Sequence, residues 1–137
     1  MSDAPNEEPP HRRRHSQPLA APYLEFDLAK ELEQLRREPE WTTGHNARTL
    51  VKYDSLRVVL IALKAHARIP EHKAEGRISI QAIQGNILVR AEGRTFDLPA
   101  GTLLVLDQGL PHDVEAIEDS VFLLTIAWAA RPEQRTV

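Results

Sequence analysis

The feature that most constrains the fold is a succession of short β-type runs between Thr49 and Trp128, punctuated by turn residues. Eight runs can be read: Thr49 to Val51, Leu56 to Leu63, Arg77 to Ile83, Asn86 to Arg90, Arg94 to Leu98, Leu103 to Leu106, Val114 to Ala116 and Val121 to Trp128. Turn signals about every 8–12 residues, with no helical pattern between the strands, point to an antiparallel sandwich or barrel rather than a βαβ sheet. In the third run Ile78, Ile80 and Ala82 alternate with Ser79, Gln81 and Ile83, so one face is set toward a core. Leu56 to Leu63 is apolar at both parities, as expected of a strand covered on both faces. Ala91-Glu92-Gly93 reads as a three-residue hairpin loop.

Composition narrows the function classes. A chain of 137 residues leaves room for one domain and a tail. No apolar run approaches the ~20 residues needed to cross a bilayer, so no membrane partner is expected. Cysteine is absent, which excludes disulfides, zinc–thiolate sites and a cysteine nucleophile. That, with no apolar segment of signal type near the N-terminus, sets the expectation of a cytoplasmic protein. The net charge of -3 argues against a nucleic-acid partner, whose footprint is a concentrated positive face.

Residues 1–22 hold five prolines and almost nothing apolar, and Asp3, Glu7 and Glu8 balance Arg12, Arg13 and Arg14. This stretch reads as a disordered tail, ahead of a single domain over 23–137. At about 27–38 the pattern turns helical. Asp27 can cap a backbone N–H, and Leu28, Leu32 and Leu35 form one apolar stripe. Pro39 then forces the preceding residue out of helical geometry. A short helix against the outside of the barrel is expected, with Tyr23, Phe26 and Trp41 as anchors and His45 in a turn role.

The stretch Gly101 to His112 (G-T-L-L-V-L-D-Q-G-L-P-H) combines a turn, a strand, a second turn and a single imidazole stiffened by Pro111. It resembles the second motif of the cupins, in which a Gly is followed after five residues by Pro-x-Gly, then two residues, His, three residues and Asn. Gly101, Gly109 and His112 match in register, while Asp107 stands for the Pro and Ala116 for the Asn. The first cupin motif is Gly, five residues, His-x-His, three or four residues, Glu, six residues, Gly. Anchored on Gly85, it puts Ile78 at the Glu position, His72 and Ala74 at the two His positions, and His66 at the initial Gly. The chain is therefore similar, over roughly residues 50 to 128, to a small single-domain, RmlC-like cupin with a depleted metal motif. The resemblance implies an all-β jelly-roll barrel over about 49–128, preceded by one short helix.

Of the four ligands the family uses, His72 and His112 remain, and the resemblance puts them together at the barrel mouth. His66 is the candidate third imidazole. Glu71 should point away from His72's face, since neighbours in an extended chain alternate, and Glu75 lies beside Gly76. Any divalent ion held there, whether Zn, Fe, Mn or Ni, is expected to be weak and displaceable, because catalytic metals usually have at least three protein ligands. The leading expectation is a small-molecule-binding barrel with His72 and His112 against an apolar wall of Ile78 and Ile80. The alternatives are a metal-dependent enzyme of dioxygenase or isomerase type using His66, His72 and His112, and a non-catalytic structural or sensory homodimer. Val121 to Trp128 is also apolar at both parities. Its outward set, Leu123 or Phe122 with Trp128, needs cover, and a second subunit is the cover expected beyond what the helix supplies.

Overall fold

The computed structural model describes residues 22–129; the expected tail and its Arg12–Arg14 cluster lie outside the described residues. Helix α1 (Leu28–Arg37) is followed by a 3-10 turn (Pro39–Thr43) and nine strands. These are β1 (His45–Lys52), β2 (Leu56–Leu63), β3 (Arg68–His72), β4 (Arg77–Gln84), β5 (Asn86–Ala91), β6 (Arg94–Pro99), β7 (Leu103–Leu106), β8 (His112–Ala116) and β9 (Ser120–Ala127). They form two antiparallel sheets, one of five strands in the order β1-β2-β9-β4-β7 and one of four in the order β3-β8-β5-β6. Chain neighbours in different sheets and sequence-distant partners within one sheet make this a jelly roll. Among the described residues no helix is long and apolar enough to cross a membrane.

The interior is filled from both sheets. Ile61 and Leu63 of β2, Ile78, Ile80 and Ala82 of β4 and Phe122 of β9 meet Ile87, Val89, Val114 and Leu98 from the other sheet, all nearly solvent-free. Each of these Ile, Leu, Val and Phe side chains, fully buried, stabilises by about 1.5–3 kcal/mol. The alternation in β4 places Ile78, Ile80 and Ala82 inward as read from the sequence.

The outer face of the five-stranded sheet is covered by α1 over β1, β2 and the start of β9. Asp27 caps it by accepting from the N–H groups of Ala29 and Lys30 at 3.1 and 3.2 Å. Glu38, just before Pro39, is extended at φ -81° and ψ 149° and ends it. Leu32 and Leu35 pack on Leu60, Ala62 and Val121, with Trp41, Leu50, Ile83 and Leu123 around them. Buried Asn46 on β1 ties the helix end to the sheet, donating from Nδ2 to the Leu35 carbonyl at 3.1 Å and to Glu38 Oε1 at 2.8 Å.

Several expectations are corrected. The segment around His72, outside the eight runs read from the sequence, is a ninth strand, and the β5–β6 loop has two residues rather than three, Glu92 and Gly93, at φ 54° and 71°. Both φ values are positive, as a type I′ hairpin demands, and that turn matches the strand twist. Trp41 is an anchor, with Arg36 and Lys64 over its ring at 5.5 and 5.3 Å. Tyr23 and Phe26 are exposed and anchor nothing in the core. Phe122 faces the interior, and Leu123 lies under α1, so neither forms the outward patch read from the sequence. Gly85, which anchored the first motif, holds φ +79°, and a Cβ there would collide with the Asp119 carbonyl and the Ser120 hydroxyl.

Candidate functional site at the barrel mouth

One end of the barrel is defined by two crossings between sheets. Residues 73–76 lead from β3 to β4 and residues 107–111 lead from β7 to β8. The loops are tied together where the Gly109 N–H donates to the Ala74 carbonyl at 2.9 Å. The β3–β4 loop presses on the end of β9, since a Cβ on Gly76 would run into the Ala127 carbonyl.

His72 and His112 face each other across β3 and β8 as a register pair. Their ring centroids are 4.5 Å apart and the rings are tilted by 57°. His112 is 4% exposed and lies on the interior side, in step with Val114 and Ala116, whereas His72 is exposed. Each ring is fixed in the same way: His72 Nδ1 lies 2.9 Å from the Pro70 carbonyl and His112 Nδ1 lies 2.9 Å from the Leu110 carbonyl. A carbonyl can only accept, so each Nδ1 is the donor in its contact and each Nε2 is left for another partner. The bulge in β3 between Ile69 and His72 brings His72 into register opposite His112.

The other sequence-derived candidates fall elsewhere. Ile78 and Ile80 are 3% and 1% exposed, packed in the core; Ile78 sits in the row nearest the mouth, opposite Leu106 and Ile126. His66 is not brought to the pair. Its N–H donates to the Ala116 carbonyl at 2.8 Å, at the far end of β8 from His112. Four residue steps along the strand separate those positions, roughly 13 Å at ~3.3 Å per residue. Glu71 and Glu75 are exposed. Among the described residues no group of three His, Cys, Asp or Glu side chains converges on a common point. The chain's donors therefore do not fit the cupin metal centre: two neutral imidazoles supply two bonds and no charge compensation, and Ile78 is apolar where a carboxylate would be needed.

On the other face of the four-stranded sheet, a charged cluster surrounds a shallow groove of about 350 Å³. Arg90 bridges Asp113 at 3.1 Å and Glu115 at 2.6 Å, and Arg68 reaches Asp113 at 3.4 Å. The hydrogen bond from Arg90 holds the Glu115 carboxyl below the usual carboxylate range, and the same bond, followed by that to Asp113, raises Arg90. Arg90 and Asp113 alternate with Val89 and His112, so this cluster points away from the mouth.

Sequence reasoning missed Arg57 and put Trp128 on the outward face of β9, whereas its ring lies beside inward-facing Arg57. Arg57 shares the inward parity of Val59, Ile61 and Leu63, and its register row continues through Ile126 to Ile78 and Leu106. Its guanidinium lies 5.4 Å from the ring of Trp128, and the backbone N–H of Trp128 donates to the Ser55 carbonyl. The parity of Arg57 relative to Val59 was the one available signal for it.

The two-sheet barrel with its paired imidazoles defines a cupin-type jelly roll with a two-histidine mouth. The sequence matches the AraC-like ligand binding domain over residues 58–129, more than half of the chain. The chain belongs to that family. Among solved structures it resembles an RmlC-like cupin from Shewanella frigidimarina, with 19% identity, a TM-score of 0.59, and coverage of 66% of this chain and 81% of that one. A conserved protein of unknown function from Streptococcus pyogenes gives 23% identity and a TM-score of 0.61, with 64% and 76% covered. Salicylate 1,2-dioxygenase from Pseudoaminobacter salicylatoxidans gives 16% identity and a TM-score of 0.68, with 81% of this chain but 37% of that one covered. These likenesses carry the fold. Among curated proteins none matches the sequence.

Proposed function

We propose that this chain binds a small molecule at the barrel mouth, with His72 and His112 as its polar anchors. The observation that carries the reading is the pairing of the two rings, 4.5 Å apart, with each Nδ1 2.9 Å from a backbone carbonyl behind it so that each Nε2 is left for a ligand. Fixed acceptors of this kind suit ligand hydroxyl groups, and Ile78, Leu106 and Ile126 supply the apolar wall. Membership of a ligand-binding family supports it. The dioxygenase or isomerase alternative lacks such support, because the donor set does not suit a metal and His66 lies at the other end of the barrel.

A thermal-shift screen of monosaccharides and small organic acids tests the reading. A ligand at about 100 times its Kd adds about 2.7 kcal/mol, a rise of several degrees in Tm. At least one compound should stabilise the wild type and lose that effect in His112→Gln, and in His72→Gln should His112→Gln fold poorly. Stabilisation untouched by both substitutions, or by none of the compounds in the wild type, would overturn it.

A homodimer keeps an observation in its favour, on a different surface from the one read in the sequence. Strand β7 is an edge of the five-stranded sheet, paired only with β4, and its outward Leu103 and Val105 are 59% and 61% exposed. A second copy adding its own β7 would extend the sheet and cover both side chains. Light scattering should give twice the 15.5 kDa chain mass, reduced to one in Val105→Lys. A wild-type monomer at micromolar concentration would end this reading.

A further inference from the structure

We propose that the molecule taken at the mouth is a small hydroxycarboxylate, its carboxylate anchored by Arg57 and its hydroxyl groups by the two imidazoles. This rests on the mouth being the binding site and adds the charge and class of what it binds. Arg37, Arg48, Arg68, Arg77 and Arg90 each pair with a carboxylate of this chain. The Nε of Arg57 is buried and has no hydrogen-bond partner. A buried donor without a partner is rare enough in a folded protein to need an explanation, since it has given up water for nothing.

The placement supplies one. Arg57 is the first inward residue of β2, in the row that lies at the mouth, and the contact with the Trp128 ring holds the guanidinium in place. A guanidinium is a fork of donors matched to a carboxylate, and it stays charged at any ordinary pH. The two imidazoles lie on the opposing sheet at the same end and present acceptors, because each Nδ1 is already committed to a carbonyl. The mouth therefore offers cationic donors on one wall and two imidazole Nε2 atoms on the other. A carboxylate satisfies the first, with Asp107 of the nearby loop already paired with Arg77, while hydroxyl groups satisfy the second. The exposed ring of His72 and the partly exposed Arg57 are where such a molecule would be met, at the rim rather than among the packed side chains below it.

The test is a titration of isotope-labelled protein with matched acid and neutral probes: galacturonate against galactose, salicylate against salicylamide, and glycolate against ethylene glycol. The histidine ring resonances and the Trp128 indole report on occupancy of the mouth. At least one acid should bind about ten- to a hundredfold more tightly than its neutral partner, the weight of a hydrogen bond to a charged group. Arg57→Gln should erase that preference while leaving the Tm close to wild type, and Arg57→Lys should keep part of it, as charge without the fork. His112→Gln should weaken acid and neutral probes alike. Neutral probes that bind as well as the acids would overturn the anion assignment and leave the mouth as the binding site. Acid binding unchanged in Arg57→Gln and Arg57→Lys would overturn the role of Arg57. Failure of every probe to move the ring resonances would overturn both.

Discussion

Leu35→Ala offers a quantitative check on how helix and barrel are joined. Leu35 is 0% exposed and sits among Leu32, Leu60, Ala62 and Val121 on the outer face of the five-stranded sheet. Truncating a buried leucine to alanine costs about 2–5 kcal/mol, the spread reflecting how far the site can collapse. Here half-buried Trp41, Leu50 and Leu123 surround the site and can relax inward, so the lower part of that range applies, about 3 kcal/mol. For a chain of this length that corresponds to a Tm lower by about 10 °C, between the slopes of smaller and larger domains. Leu28→Ala, on the same stripe but only half-buried, is the internal control and should cost under about 1 kcal/mol. Urea denaturation monitored by far-UV dichroism and Trp fluorescence reads both. If Leu35→Ala cost no more than Leu28→Ala, or if only the helical signal melted early, α1 would be an appendage rather than part of the fold.

Three further outcomes are expected. Ser120 is 0% exposed and its Oγ accepts from the Asn86 N–H at 3.0 Å, so Ser120→Ala should destabilise by about 1–3 kcal/mol by leaving that donor unpaired. Gly85→Ala should be worse than an ordinary glycine replacement, because φ is +79° and the new methyl meets the Asp119 carbonyl; a strongly lowered Tm checks it. The pH dependence follows from Glu115: its folded-state pKa is depressed by Arg90, so its contribution is present above the usual value of 4.5 and fades as pH falls through the lower folded value. Acid titration of stability should therefore flatten in that window in Glu115→Gln.

Much of the fold was legible in local chemistry. Asp27 and Pro39 bracket α1, strand β2 spans the residues read from its apolar run, and the alternation in β4 faces the core as expected. What stayed hidden depended on tertiary neighbours. Strand β3 has a proline, three charged or titratable residues and an exposed face; it is an edge strand paired only with β8, so no alternation marks it. Strand β9 is apolar on both faces because the interior covers one and α1 the other, so the sequence could not say that Phe122 goes in and Leu123 out. At the site, the motif frames brought out His72 and His112, which the structure pairs. They also suggested His66, which sits at a positive φ of 71° and is bonded to the opposite end of β8. Arg57 carries no motif at all, and its place depends on which face of β2 looks inward.

The most direct measurement is a long-range ¹H–¹⁵N spectrum of the histidine side chains, recorded without ligand and during titration with galacturonate and the other hydroxy acids. The account requires His72 and His112 to show the tautomer protonated at Nδ1, with both Nε2 resonances moving together on binding and the His66 and His45 signals still. A tautomer protonated at Nε2 in either ring, or a ligand that binds without moving the pair, would contradict it.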